Sequence, residues 1–93
     1  MSPLRRVHVL VEGRVQGVGF RMFTRTLARR LGVAGYVRNL PDGRVEAVAE
    51  GEPKAVETFL KGLRAGPRRA RVDRLDVRDQ PPTSEFASFD IRY

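Results

Sequence analysis

From Val7 to Glu12 the chain alternates, with β-branched Val7, Val9 and Val11 separated by His8, Leu10 and Glu12. A period of two predicts a strand with one strongly apolar face. Gly13 to Gly19 follows as a glycine-bearing loop. From Phe20 the period changes. Phe20, Phe23, Leu27, Ala28 and Leu31 fall at helical spacing, with Arg21, Arg25 and Arg29 on other faces. Gly32 closes this helix, because glycine accepts the left-handed conformation of many helix ends. Ala34 to Leu40 predicts a second strand, and Pro41-Asp42-Gly43 a turn in which proline presets one φ and glycine supplies a positive one. Val45, Ala47 and Ala49 then alternate with Glu46, Val48 and Glu50, so the two strands form a hairpin.

The second half adds a further helix and two more strands. Pro53 suits a first helical position, where its missing N–H is not needed. Val56, Phe59, Leu60 and Leu63 make the apolar stripe, and Glu57 with Lys61 forms an i,i+4 pair. Gly66-Pro67 ends the helix. Within Arg71 to Asp79, Leu75 and Val77 alternate while Val72 falls out of phase, which marks a bulge. Phe89, Ile91 and Tyr93 share one face of a short closing strand. The phenylalanines at 20, 23, 59, 86 and 89 read as core. The order is β-α-β-β-α-β plus a C-terminal strand, with two helices able to cover one face of an antiparallel sheet. The expected fold class is α+β, a ferredoxin-like sandwich, as a single domain over residues 1–93.

Composition narrows the chemistry. The 93 residues include no cysteine and one histidine, His8. That excludes a disulfide, a thiolate nucleophile and a cysteine-ligated metal, and leaves little from which to build a histidine metal site or a Ser-His-Asp triad. His8 has no partner nearby in sequence and reads as structural. The net charge is +7, and of 18 basic residues only Lys54 and Lys61 are lysine. Arginine's planar fork suits phosphate, so nucleic acid, anionic lipid or a small phosphorylated molecule are partners to weigh. Codon bias or surface stabilisation in a heat-adapted source is the favoured account of the bulk arginine, and heat adaptation fits the single asparagine and two glutamines. The apolar run Val7 to Val11 is too short for a signal-peptide core or a membrane span, so no membrane association and a cytoplasmic location are expected.

The informative loop is Gly13-Arg14-Val15-Gln16-Gly17-Val18-Gly19-Phe20-Arg21. Glycines at 17 and 19 permit backbone turns that point N–H groups inward and let an anion approach. The loop enters a helix N-terminus, where unpaired N–H groups and the helix dipole favour negative charge. Arg21 can add a bidentate guanidinium. The plainer reading is two glycines tightening a βα turn. Asn39 ends the second strand, which in a split β-α-β unit runs parallel to the first, so both reach the same sheet edge. Its amide can donate and accept, which suits holding a water; its plainer reading is a turn cap before Pro41-Asp42-Gly43.

Val15-Gln16-Gly17-Val18-Gly19-Phe20-Arg21, with Gly35-Tyr36-Val37-Arg38-Asn39 and Asp42-Gly43-Arg44-Val45-Glu46, strongly resembles the acylphosphatase family over essentially the whole chain. The resemblance implies a small ferredoxin-like enzyme that hydrolyses acyl phosphates to a carboxylate and inorganic phosphate, without metal or cofactor. It implies that Arg21 binds the phosphoryl group, that Asn39 orients the attacking water, and that the backbone of Val15, Gln16, Gly17, Val18, Gly19 and Phe20 cradles the phosphoryl oxygens. Leu40 stands where many animal members have threonine, so a supporting hydroxyl is missing there. The implied partners are small-molecule acyl phosphates, with inorganic phosphate as product and inhibitor, and the expected state is a monomer.

Two other classes compete. Ferredoxin-like sheets bind RNA through aromatics on the first and third strands. Here Val7 to Glu12 and Arg44 to Glu50 carry none, and the RNA-recognition signature is absent, so no nucleic-acid partner is expected. The basic run Arg64 to Arg71 reads as a solvated loop, with Arg64 placed to favour the helix C-terminal dipole. A non-catalytic regulatory domain is the third class, and the intact Arg21 and Asn39 speak against it.

Overall fold

Where the three valines of the first strand point decides which side of the sheet stays dry. In a computed structural model describing residues 3–93, the elements run β1 (Arg5–Arg14), α1 (Phe20–Leu31), β2 (Ala34–Asn39), β3 (Val45–Gly51), α2 (Pro53–Ala65), β4 (Arg71–Gln80) and β5 (Phe89–Ile91). Val7, Val9 and Val11 are fully buried, and meet Val37, Val45, Ala47 and Phe89 on the same face. Phe20 and Ala28 of α1, and Val56, Phe59 and Leu63 of α2, close over them. Thr24 is buried among these side chains, and its Oγ1 donates to the Phe20 carbonyl at 2.8 Å, so no hydroxyl is left unpaired.

The sheet order is β4-β1-β3-β2-β5. β1 pairs antiparallel with β3 and β4, and β2 antiparallel with β3. This is the expected ferredoxin-like sandwich. The bulge signalled by Val72 is present: Glu12 faces Arg74 while Gly13 faces Val72, leaving Asp73 as the extra residue. β5 adds beside β2 in parallel, which makes the sheet mixed. Among the described residues no helix is long and apolar enough to cross a membrane.

Two expectations about the core are corrected. Phe86 does not join the helix-side core; it packs edge-on against Tyr36, ring centroids 5.9 Å apart, on the open face of the sheet. Tyr36 neighbours inward-facing Gly35 and Val37, so alternation turns it outward. Tyr93 lies two residues beyond β5 and is 98% exposed. The β2–β5 ladder ends when the Arg92 N–H donates to the Val37 carbonyl at 2.9 Å, and Tyr93 projects past it.

The connection from β4 to β5 is pinned from below. Buried Glu50 accepts the backbone N–H groups of Thr83 and Ser84 at 2.9 and 2.8 Å. Arg6 donates to Glu85 at 2.6 Å and to Gln80 at 3.0 Å. These contacts fix where β5 starts, and so where the chain end is delivered.

Candidate active site

β1 and β2 are both antiparallel to β3 and therefore parallel to each other. The loop leaving β1, the N-terminus of α1 and the end of β2 consequently meet at one edge. A cavity of about 120 Å³ opens there, lined by Val15, Gly17, Gly19, Phe20, Arg21 and Asn39, with Met22, Ile91 and Tyr93 on its remaining walls.

Gly17 and Gly19 have φ of +73° and +77°, and a Cβ at either would meet nothing within 4 Å. The demand for glycine here is thus a demand of the backbone, not of space. Gly19 is the N-cap of α1 and offers no side-chain cap, and the first turn contains no acidic residue. The positive end of the helix therefore faces the cavity without an internal anion.

Arg21 sits in that first turn with its guanidinium 5.0 Å from the ring centroid of Tyr93. Among the described residues no carboxylate forms an ion pair with it, in contrast to Arg5, Arg6, Arg29, Arg38, Arg44, Arg71 and Arg78. Asn39 presents the complementary feature. Its Oδ1 is buried and is the one buried side-chain acceptor among the described residues without a hydrogen-bond partner. Asn39 is part of the cavity wall, and a buried acceptor left without a donor is a cost to the fold.

Of the loop residues expected to form the cradle, Val15, Gly17, Gly19 and Phe20 line the cavity, while the side chains of Gln16 and Val18 turn elsewhere. Val18 packs on the core. Gln16 reaches across to the β2–β3 turn, where its Nε2 donates to the carbonyls of Leu40 at 2.8 Å and Arg44 at 2.9 Å. The phosphate-loop candidate is thereby tied to the turn that follows Asn39. That turn is held in its own right: Asp42 accepts the Arg44 backbone N–H at 3.0 Å and the Arg44 Nε at 2.8 Å. The bond from the Arg44 backbone N–H, helped by its guanidinium, holds the Asp42 carboxyl below the usual carboxylate range against the opposing effect of desolvation.

Met22, Ile91 and Tyr93 were not legible as site residues. Tyr93 arrives because β5 is parallel to β2 with Ile91 opposite Val37, which brings the chain end level with Asn39. Nothing local in the sequence states that register. His8, read as lacking a partner, has one: its Nε2 lies 2.8 Å from Glu46 on the open face of the sheet.

Fold and cavity together define a small ferredoxin-like α+β protein whose first loop, first helix and second strand enclose a cationic pocket. The Acylphosphatase family model matches residues 7–91. The chain is 52% identical over 91 residues to the acylphosphatase of Roseiflexus sp. (strain RS-1), covering 98% of both chains. It is 53% identical over 88 residues to that of Methylococcus capsulatus, covering 95% of this chain and 96% of the other. The crystal structure of acylphosphatase from Bacillus subtilis superposes with a TM-score of 0.93 at 36% identity, over 98% of this chain and 100% of that one. This chain belongs to the acylphosphatase family.

Proposed function

We propose that the chain is an acylphosphatase that hydrolyses the carboxyl–phosphate bond of small acyl phosphates, with Arg21 and the Val15–Phe20 loop holding the phosphoryl group and Asn39 orienting the water. The observation that carries this reading is the meeting of Arg21 and Asn39 as walls of one small cavity at a helix N-terminus.

The chemistry asks for little else. Water attacks phosphorus, the bond from phosphorus to the acyl oxygen breaks, and the electron pair leaves on a carboxylate. A carboxylate is stable as an anion, so no strong general acid is needed. The proton lost by water passes to a phosphoryl oxygen, giving inorganic phosphate. Such a transition state is loose, and catalysis comes from positioning and from charges aimed at the transferring group. Arg21 and the first-turn N–H groups of α1 supply those charges. Asn39 Oδ1, accepting one water proton, aims the water's lone pair. A cation resting on an aromatic ring keeps its orientation while staying free to take a second, anionic partner. The side chains named supply this without a bound metal, and product phosphate competes for the same cradle. We further propose a single-domain monomer acting in the cytoplasm, in keeping with the cysteine-free composition.

Phosphate release from benzoyl phosphate, with and without chelator, tests the activity. Arg21→Ala abolishes both turnover and phosphate inhibition, and Arg21→Lys restores little because a point charge lacks the fork. Asn39→Ala lowers kcat by about a hundredfold, the scale of losing one positioned catalytic group, and leaves the phosphate inhibition constant within a few-fold. Wild-type kcat in the Asn39 variant would overturn the water assignment.

A further inference from the structure

Among the described residues, two of the three large apolar side chains left exposed, Met22 at 53% and Tyr93 at 98%, stand on the rim of the same cavity. Exposed apolar groups beside a pocket for a charged group call for a reason. Met22 also lines a second, larger hollow of about 250 Å³, whose other walls are Phe23, Thr26, Leu27 and Arg30. These positions are 22, 23, 26, 27 and 30, one stripe along α1 at successive turns. The stripe begins at the helix N-terminus, where the first cavity lies, and runs toward the C-terminus for about 12 Å at 1.5 Å per residue. Leu27 gives this hollow its floor; its side chain is wedged against α2, where a Cβ on Gly62 would come within 2.3 Å of it. Met22 is the shared wall between the two spaces. Its thioether accepts from Arg25 at 3.1 Å. Methionine is the side chain best able to shift and let a flexible chain pass.

We propose that this hollow is the acyl subsite: the enzyme takes acyl phosphates whose phosphoryl end sits at Arg21 and whose acyl chain, of about six carbons, lies over Met22 along α1. This rests on the assignment of the first cavity to the phosphoryl group. The chain length follows from the dimensions, since six carbons extend past Met22 without reaching Arg30, whose cation suits the open end of the groove. The groove is apolar except for Thr26 and Arg30 and open to solvent on one side, so each methylene is half desolvated. Complete burial of a methylene is worth about fourfold in affinity, and half burial about twofold. Hexanoyl phosphate has four more methylenes than acetyl phosphate, and about twofold each compounds to about sixteenfold, an advantage on the order of ten in kcat/KM. The advantage appears in KM, because it is equal in the ground and transition states.

The test compares kcat/KM for acetyl and hexanoyl phosphate in the wild type, in Thr26→Trp, which fills the groove, and in Thr26→Glu, which puts a carboxylate on its wall. Acetate and hexanoate are nearly equal leaving groups, so the ratio reports binding of the alkyl chain and cancels any general loss of activity in a variant. Expected are a ratio of about ten in the wild type and a fall toward one in both variants. A wild-type ratio near one overturns the proposal. So does a high ratio that survives both substitutions, which would place the chain against Ile91 and Tyr93 instead. Failure of the underlying reading looks different: neither substrate is turned over, or turnover persists in Arg21→Ala.

Discussion

Gln16 is the residue through which the two halves of the site are mechanically joined, and its substitution separates a tether from a loop that would hold its shape alone. One nitrogen donates to two carbonyls, Leu40 at 2.8 Å and Arg44 at 2.9 Å. Only the NH₂ end of the amide can face two acceptors. Both carbonyls have a second partner: Leu40 accepts the Gly43 N–H at 3.1 Å, and Arg44 accepts the Leu40 N–H at 2.8 Å. Gln16→Leu therefore removes two hydrogen bonds without orphaning an acceptor. At a net ~0.5–1.5 kcal/mol each, two bonds are worth about 1–3 kcal/mol, and the surviving partners put the loss in the lower half, about 1–2 kcal/mol. Gln16→Glu keeps the shape but turns an anionic oxygen toward two carbonyl oxygens, which costs about 1 kcal/mol more and adds a negative charge beside the proposed phosphoryl site.

Urea unfolding reads the first effect. With m of about 1–1.5 kcal/mol/M for a chain of this size, Gln16→Leu lowers the midpoint by about 1 M at unchanged m, and Gln16→Glu lowers it further. Initial rates of phosphate release read the second. A displacement of about 1 Å in a positioning loop costs up to a hundredfold, so kcat/KM falls roughly ten- to a hundredfold in Gln16→Leu and more in Gln16→Glu. The order Gln, Leu, Glu in both assays is the signature of the tether. If Gln16→Glu matched Gln16→Leu in midpoint and rate, the donors at 16 would not be what holds the loop to the turn, and the coupling argued from these distances would be wrong.

Two further outcomes follow from packing and charge. Gly35→Ala should unfold the protein at room temperature or cost several kcal/mol, because a Cβ there would lie 1.8 Å from the Val48 carbonyl at a φ of +147°; Gly17→Ala, with the left-handed φ but open space, should lower stability by only about 1–2 kcal/mol, and comparable urea midpoints for the two would refute the distinction. On the open face, desolvation raises the Glu46 pKa, but hydrogen bonds from His8 and Arg38 outweigh it and hold the carboxyl below its ordinary 4.5. A folded-state value lowered in this way gives stability that is complete above 4.5 and is lost as pH falls through the depressed value. The midpoint difference between wild type and Glu46→Gln should therefore shrink from pH 6 to pH 3; a constant difference would show that the pair's charge contributes nothing.

What the sequence made legible was what is local or follows from topology. Alternation in Val7 to Glu12 and the helical stripe from Phe20 are short-range patterns, and both elements form where those patterns stand. Asn39 could be brought to the loop from 18 residues away because a split β-α-β unit leaves little choice of edge. Val72 betrayed its bulge by falling out of phase. The misses are non-local. Phe86 is apolar in a polar stretch and reads as core, yet its neighbours are Tyr36 and Arg92 on the far side of the sheet. Gln16 looks like one more loop residue until the turn at 40–44 folds against it. Tyr93 and Ile91 enter the site only through the parallel register of β5 on β2, which is set by contacts of Glu50 and Arg6 with the preceding connection.

Sixteen arginines carry the same charge, so charge alone cannot say which of them is chemical. Their partners can. Seven are committed to carboxylates, and most of those pairs are solvent-exposed and contribute little to stability. A carboxylate at Arg21 would be a permanent competitor for the phosphoryl group and would have to be displaced at every turnover. The Tyr93 ring lies 5.0 Å from the guanidinium and brings no negative charge. The same logic applies to the helix end: an acidic cap would stabilise α1 but would fill the place of the substrate's own charge, and the first turn has none. The site is thus assembled from stabilising interactions left unmade: an arginine without its acid, a helix without its cap, and an asparagine oxygen without its donor. Each is a small sacrifice of folded-state stability, which under the proposed function is made good when an acyl phosphate and a water arrive together.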